Sequence, residues 1–487
     1  TPKTRVQGST LRFNTIYLIC FLNIPLIPLR LLSSFQFPFI PYLSRKYKDM
    51  RSTIIAFFIF LFIYLPGISQ SLKIPENLIS RQTKRSLELC KHLHQNPELS
   101  FQETETSKLM EKQLREAGFE VSREFGGNNV VGIMRNGDGP VILLRTDMDA
   151  LPVKEKTGLD FASTKTAEDA TGKEVPVMHA CGHDIHMSVW SGTIRILSEM
   201  RDAWSGTLIA IAQQAEEMSG GAGLAIEKGL YENLPLPDFG FAYHINPELK
   251  AGTIGLVEGP VFAGVKTAEI IVHGKGGHGA YPEKCIDPVV IASRIVLNLQ
   301  TIVSREVSPL EPVVVTVGSI HGGTRPNIIP DEVKMELTLR YYSEEAINKV
   351  IASLRRISNA AAKAAGMPEE RWPVVNITED DTPPVINDPE LTSKTRKHAR
   401  LAIGEENIIS TPPAMVGEDF GKYGHTPEDV PINLIWLGST NPELMDSLRA
   451  KEELPPPLHS PELNSDYEKT IETGIRVMVS SLLGVYR

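Results

Sequence analysis

Side chains able to hold a metal are concentrated in Met178-His179-Ala180-Cys181-Gly182-His183-Asp184, with His186 just beyond. Cys181 and His183 stand two residues apart with one glycine between them. That spacing suits an extended or turning backbone, on which alternate side chains point the same way. Zinc and manganese accept thiolate, imidazole and carboxylate donors, and a catalytic site leaves one position open for water. Alone, the segment reads more readily as a buried cysteine beside histidines at a helix start. The remaining donors must come from elsewhere in the chain.

Three apolar strands are predicted to end in such donors. Val141–Arg145 leads to Asp147 and Asp149, Gly206–Gln213 leads to Glu216-Glu217, and Phe239–Tyr243 delivers His244 at its end. Open α/β sheets place their sites at the C-terminal ends of strands. The stiff Pro455-Pro456-Pro457 run then presents His459 in a fixed loop. The candidate donors are therefore Cys181, His183, Glu217, His244 and His459. Two divalent cations, zinc or manganese, sharing one water would bring its pKa toward neutrality and polarise a carbonyl. On an extended segment Glu216 and Glu217 would face opposite ways, whereas in a loop past a strand end both can reach one cavity. A carboxylate at 216 that binds no metal could then take a proton from water and pass it to a leaving amine. Taken singly, the Glu pair could be a solvated helix start, His244 a satisfied core histidine and His459 an exposed loop residue. Jointly, those readings require five coincidences at strand ends and loops.

An ordered set of further motifs supports the joint reading. His94-Gln95-Asn96-Pro97-Glu98-Leu99-Ser100, Asp147-Met148-Asp149-Ala150-Leu151-Pro152 and the Cys181 segment are followed by Gln214-Ala215-Glu216-Glu217 and Gly277-His278. Pro326-Asn327-Ile328-Ile329-Pro330, Gly417-Glu418-Asp419-Phe420 and Leu458-His459-Ser460-Pro461 come next. In this order they resemble the hippurate hydrolase and auxin-conjugate hydrolase branch of the di-metal aminoacylase/carboxypeptidase superfamily. The resemblance covers residues 76–487 and none of 1–70. It implies an amidohydrolase cleaving N-acyl-amino acids, hippurate-like or N-acetyl. Metal would bind at Cys181, His183, Glu217, His244 and His459, with Glu216 as general acid/base. It also implies that His278 helps hold the oxyanion, across a dimer interface in one arrangement, and that Asn327, with Arg325 as a further candidate, binds the substrate's carboxylate or backbone. Relatives outside this branch carry a ligand histidine where this chain has Arg145, so Asp147 is expected to orient ligands rather than to bind metal. Dipeptidase, carboxypeptidase or N-acetyl-diamino-acid deacetylase activity on the same site is the alternative. A non-catalytic binding protein retaining the fold is the alternative of another class, and retention of all five donors with Glu216 argues against it.

The expected fold is α/β: a di-metal catalytic domain with a mixed sheet flanked by helices, plus an inserted α+β lid and dimerisation domain of four strands and two helices. The expected boundaries are 76–260 and 381–487 for the catalytic domain and 261–380 for the insertion, through which a homodimer would form. Val130–Met134 and Val141–Arg145 are expected to form a hairpin around Asn136-Gly137-Asp138-Gly139-Pro140, and a helix is expected from His186 to Met200. Of 487 residues, the first seventy carry eight Lys/Arg against the single Asp49, a net +7. The remainder carries 42 against 58, a net −16, which argues against nucleic acid as a partner. The four cysteines, Cys20, Cys90, Cys181 and Cys285, show no paired spacing and set no redox compartment. Arg51, the apolar run Ile54 to Leu65 and the small residues Gly67 and Ser69 have the layout of a secretory signal. The expectation is a signal peptide over 50–69, an upstream extension over 1–49 that is absent from the mature protein, and a secreted or periplasmic enzyme. A membrane anchor in either apolar run is the alternative.

Overall fold

The computed structural model describes residues 73–378 and 382–486. The expected signal segment lies outside the described residues, as does the expected boundary at 380/381. No described helix is long and apolar enough to cross a membrane.

The main sheet is mixed. Its core runs Val130–Asn136, Gly206–Gln213, Val141–Asp147, Phe239–Lys250, Ile432–Thr440, the first antiparallel to its neighbour and the other four mutually parallel. These strands are almost wholly buried, as expected of parallel strands covered on both faces. One face carries helices Glu76–Gln95, His183–Glu199 and Tyr467–Val485, whose buried Leu93, Trp190, Ile194, Ile475 and Leu482 meet Ile142, Leu144 and Leu208. The opposite face is closed by Phe420, Tyr423, Phe262 and Trp436. A second sheet of four antiparallel strands, ordered Val314–His321, Glu332–Tyr341, Gly264–His273, Val374–Ile377, packs helices Pro288–Thr301 and Glu344–Ala364 over its own apolar cluster. The mixed α/β class and the four-strand, two-helix unit are those expected.

The hairpin is not. Val130–Asn136 and Val141–Asp147 never pair, because Gly206–Gln213 lies between them. The Gly137–Pro140 turn is local chemistry compatible with a hairpin, but Gly206–Gln213, buried along almost its whole length, pairs with both strands and separates them. Two further expectations shift. The central helix starts at His183 rather than His186, so Cys181 and His183 do not share an extended segment. Gly182 (φ 79°) makes the turn between them and opens the helix. His244 lies inside its strand, opposite Trp436, since the strand continues to Lys250 along Ile432–Thr440.

Candidate metal centre

Sheet register sets the level of the site. Asp147 pairs with Gln213 at the ends of adjacent parallel strands, and three residues beyond the Leu144–Phe241 pair lie Asp147 and His244. Above this line sit the first turn of the His183–Glu199 helix and the Gln214–Glu217 loop. His459 arrives on a residue of positive φ (65°), its amide donating to the Ala180 carbonyl at 2.7 Å.

All five predicted donors converge. Ligand atoms of Cys181, His183 and His244 lie within 4.8 Å of one another, and so do those of Cys181, Glu217 and His459. Cys181 belongs to both groups. Cys181 Sγ is 3.4 Å from His244 Nε2, His459 Nε2 is 3.5 Å from Glu217 Oε2, and His183 Nε2 is 3.9 Å from Glu217 Oε1. Donors around one tetrahedral cation, each at roughly 2.0–2.3 Å, are separated by roughly 3.3–3.8 Å. The observed spacings are of this kind, longer than most hydrogen bonds. Both ring nitrogens of His183 and Oε1 of Glu217 are buried without a hydrogen-bond partner, an arrangement that is costly unless a cation completes it. His244 Nδ1 is engaged by the carbonyl of Ile245 at 2.8 Å, which leaves Nε2 as the lone-pair nitrogen facing Cys181.

The electrostatics agree. Asp147, Asp149, Glu216, Glu418 and Asp419 are buried and Glu217 is nearly so, with the buried guanidinium of Arg145 set among them. Burial disfavours a charged imidazole, yet Asp147, Asp149 and Glu217 override it and raise His183 to about 10. Burial also drives Glu216 well above the ordinary carboxylate range, aided by Glu418, Glu217, Asp419 and Asp149. A pocket with this much negative charge is matched to cations.

Asp147 has both oxygens occupied, one by Arg145 Nη1 at 2.7 Å and the other by His186 Nδ1 at 2.8 Å. The amide of Ile245 donates to His186 Nε2 at 2.9 Å, so Nδ1 carries the proton and His186 bonds Asp147 as a neutral ring. Arg145 also donates to Glu418 Oε1 and Asp419 Oδ1, each 2.9 Å from Nη2, to Glu418 Oε2, 3.3 Å from Nη1, and to Gln213 Oε1, 3.0 Å from Nε. Arg145 thus offsets part of the charge of Asp147, Glu418 and Asp419, and Glu216 lies beside the last two. Sequence reasoning assigned no role to His186, Asp149, Glu418 or Asp419. An arginine inside the apolar run Val141–Asp147 was the available signal, because a buried guanidinium requires carboxylates.

His278, Arg325 and Asn327 form a separate, exposed group. Gly277–His278 pairs with Ile328–Ile329, and the Gly279 amide donates to the Asn327 carbonyl at 2.8 Å. The hydrogen bond and ring contact of the His278 imidazole, to the Ala280 amide and Tyr281, stay within its own loop.

Two overlapping donor groups that share Cys181 are the arrangement a pair of divalent cations would need. Residues 143–483 match Peptidase family M20/M25/M40, and the chain belongs to that family. It is 36% identical over 370 residues to an N-acetyl-L-cysteine deacetylase of Bacillus subtilis, covering 75% of this chain and 82% of that one. Over 402 residues it is 34% identical to an N-acetyldiaminopimelate deacetylase of Lactobacillus helveticus, covering 82% and 96%. Among solved structures, a dinuclear metal-binding M20 peptidase from Bacillus subtilis superimposes with a TM-score of 0.67 at 29% identity, over 83% of this chain and 98% of that one. The protein is a metal-dependent M20 hydrolase, a metallo-amidohydrolase.

Proposed function

We propose that this enzyme removes an acetyl group from the nitrogen of an amino acid or diamino acid. The names of the two deacetylase relatives support acetyl over the benzoyl group of hippurate, which shifts the weight to the deacetylase alternative. Cys181, His183, Glu217, His244 and His459 would hold two divalent cations, zinc or manganese, with Cys181 common to both. Once bound, the cations would polarise the amide carbonyl and acidify a water.

The observation that carries the reading is the division of labour between neighbouring carboxylates. Glu216 Oε2 and Glu217 Oε1 both stand 3.9 Å from His183 Nε2, but only Glu217 also faces His459. Glu216 is left to move a proton. Burial among acidic neighbours raises its affinity for that proton, which suits a group that must collect it from water and release it to a departing amine. His278 and Asn327, on hydrogen-bonded loops, would serve the oxyanion and the substrate carboxylate, with Arg325 beside them. Glu216→Gln should lower kcat roughly 100- to 10,000-fold while metal content stays at the wild-type level. In a panel of N-acetyl-cysteine, N-acetyl-diaminopimelate, N-benzoyl-glycine and dipeptides, an acetylated substrate should give the highest kcat/KM. A Glu216→Gln variant working at the full rate, or preference for N-benzoyl-glycine, would overturn the reading.

A further inference from the structure

The side chains of Glu216 and Glu217 follow one another in sequence yet reach the same cluster, which an extended backbone forbids. The explanation lies in four consecutive backbone amides. Gln214 N donates to Asn129 Oδ1 at 2.9 Å and Ala215 N to Glu103 Oε1 at 2.7 Å. Glu216 N and Glu217 N donate to Asp149 Oδ1 and Oδ2, each at 3.0 Å. Between the second and third of these amides Ala215 adopts φ 48°, in the left-handed region that costs a residue bearing a Cβ about 1 kcal/mol or more. Ala215 is fully buried, and the loop closes through Gly220 N to the Ala215 carbonyl at 3.0 Å.

Glu103 is a fully buried carboxylate with no cationic partner among the described residues. Besides the Ala215 amide it receives a bond from Asn128 Nδ2 at 3.3 Å. Burial raises it to about 7. Burying an acid in this way is unfavourable unless it fixes something else in place.

Resting on the metal-centre reading above, we infer that Glu103 and Asp149 are positioning residues: by capturing the amides of Ala215, Glu216 and Glu217 they hold Ala215 left-handed and so turn both glutamates toward the metal donors. Glu103 acts as a hydrogen-bond acceptor, a role an amide oxygen can fill. Asp149 needs both oxygens, which an amide cannot supply.

The test is manganese affinity of the full-length enzyme, measured by competition with a chelator, together with kcat, KM and the melting temperature. Glu103→Gln should bind within about threefold of wild type. Glu103→Met should bind about 10- to 100-fold more weakly, the usual cost of losing a group that orients metal ligands, with kcat falling and KM unchanged. Adding Ala215→Gly to Glu103→Met should restore affinity to within about threefold of wild type, since glycine takes positive φ without penalty. A packing role for Glu103 would not be relieved by a glycine at 215. Wild-type affinity in Glu103→Met, or no restoration by glycine, overturns the inference. Should Glu103→Met not fold, Asp149→Asn decides: because Asp149 Oδ1 also lies 3.5 Å from His183 Nδ1, about tenfold weaker manganese binding that Ala215→Gly restores supports the cradle, and unchanged binding, or a loss that glycine does not restore, refutes it. A wild-type enzyme that takes up no manganese and no zinc would instead overturn the metal-centre reading.

Discussion

Replacing Arg145 by Met removes the cation on which Asp147, Glu418 and Asp419 converge, all with side chains at 0% exposure. Breaking a buried ion pair by deleting one partner costs about 3–5 kcal/mol, because the other charge stays buried without compensation. An unfolding entropy of about 2.1 cal/mol/K per residue gives roughly 0.8 kcal/mol/K over about 400 residues. A loss of about 4 kcal/mol then lowers Tm by about 5 °C. The deficit should depend on pH with a definite sign. Without the guanidinium the native carboxylates hold protons more tightly than the unfolded ones, so stability falls as pH rises and recovers as it drops. Scanning calorimetry of wild type and Arg145→Met at pH 8 and pH 5.5 should show the larger gap at pH 8. A gap under about 1 °C at pH 8, or one that widens at pH 5.5, would refute the claim that Arg145 neutralises this cluster.

Cys181→Ser should weaken both cations together, by about tenfold or more in chelator competition, since a hydroxyl is a poorer donor than the thiolate common to both groups; loss of one equivalent with the other unchanged would show that Cys181 serves a single site. His94, buried between Asp184 Oδ2 at 2.8 Å and Glu155 Oε1 at 3.1 Å, is opposed by burial but raised overall to about 9 by these two carboxylates. Its contribution, about 3 kcal/mol for a rise from 6.5, is complete below pH 6.5 and lost as pH climbs through about 9. The stability advantage of wild type over His94→Gln should therefore shrink between pH 6 and pH 9.5, and a constant advantage would contradict it.

The five donors were legible because thiolate, imidazole and carboxylate at strand ends have few other joint explanations, and because the motifs occur in one order. Asp149 and Glu103 were not, since the bonds that shape the glutamate loop run from them to backbone amides. Which amides of a loop lack a partner is a tertiary fact that residue types do not encode. His244 does converge with the other candidate donors, but not from a strand end, because its strand is prolonged by a neighbour almost two hundred residues later. The hairpin expectation failed for a related reason: a turn fixes local backbone direction, and the occupant of the adjacent slot is chosen by apolar surface elsewhere.

That slot has a consequence for how the polypeptide assembles. A nascent chain that has emerged only to residue 205 holds two strands whose final positions are two strand spacings apart, about 9–10 Å, with nothing yet made to fill the gap. Zippering outward from the Gly137–Pro140 corner is therefore unproductive, and both inner edges stay open to stray pairing until Gly206–Gln213 slides in. The same insertion brings Asp147 level with Gln213, at the foot of the glutamate loop.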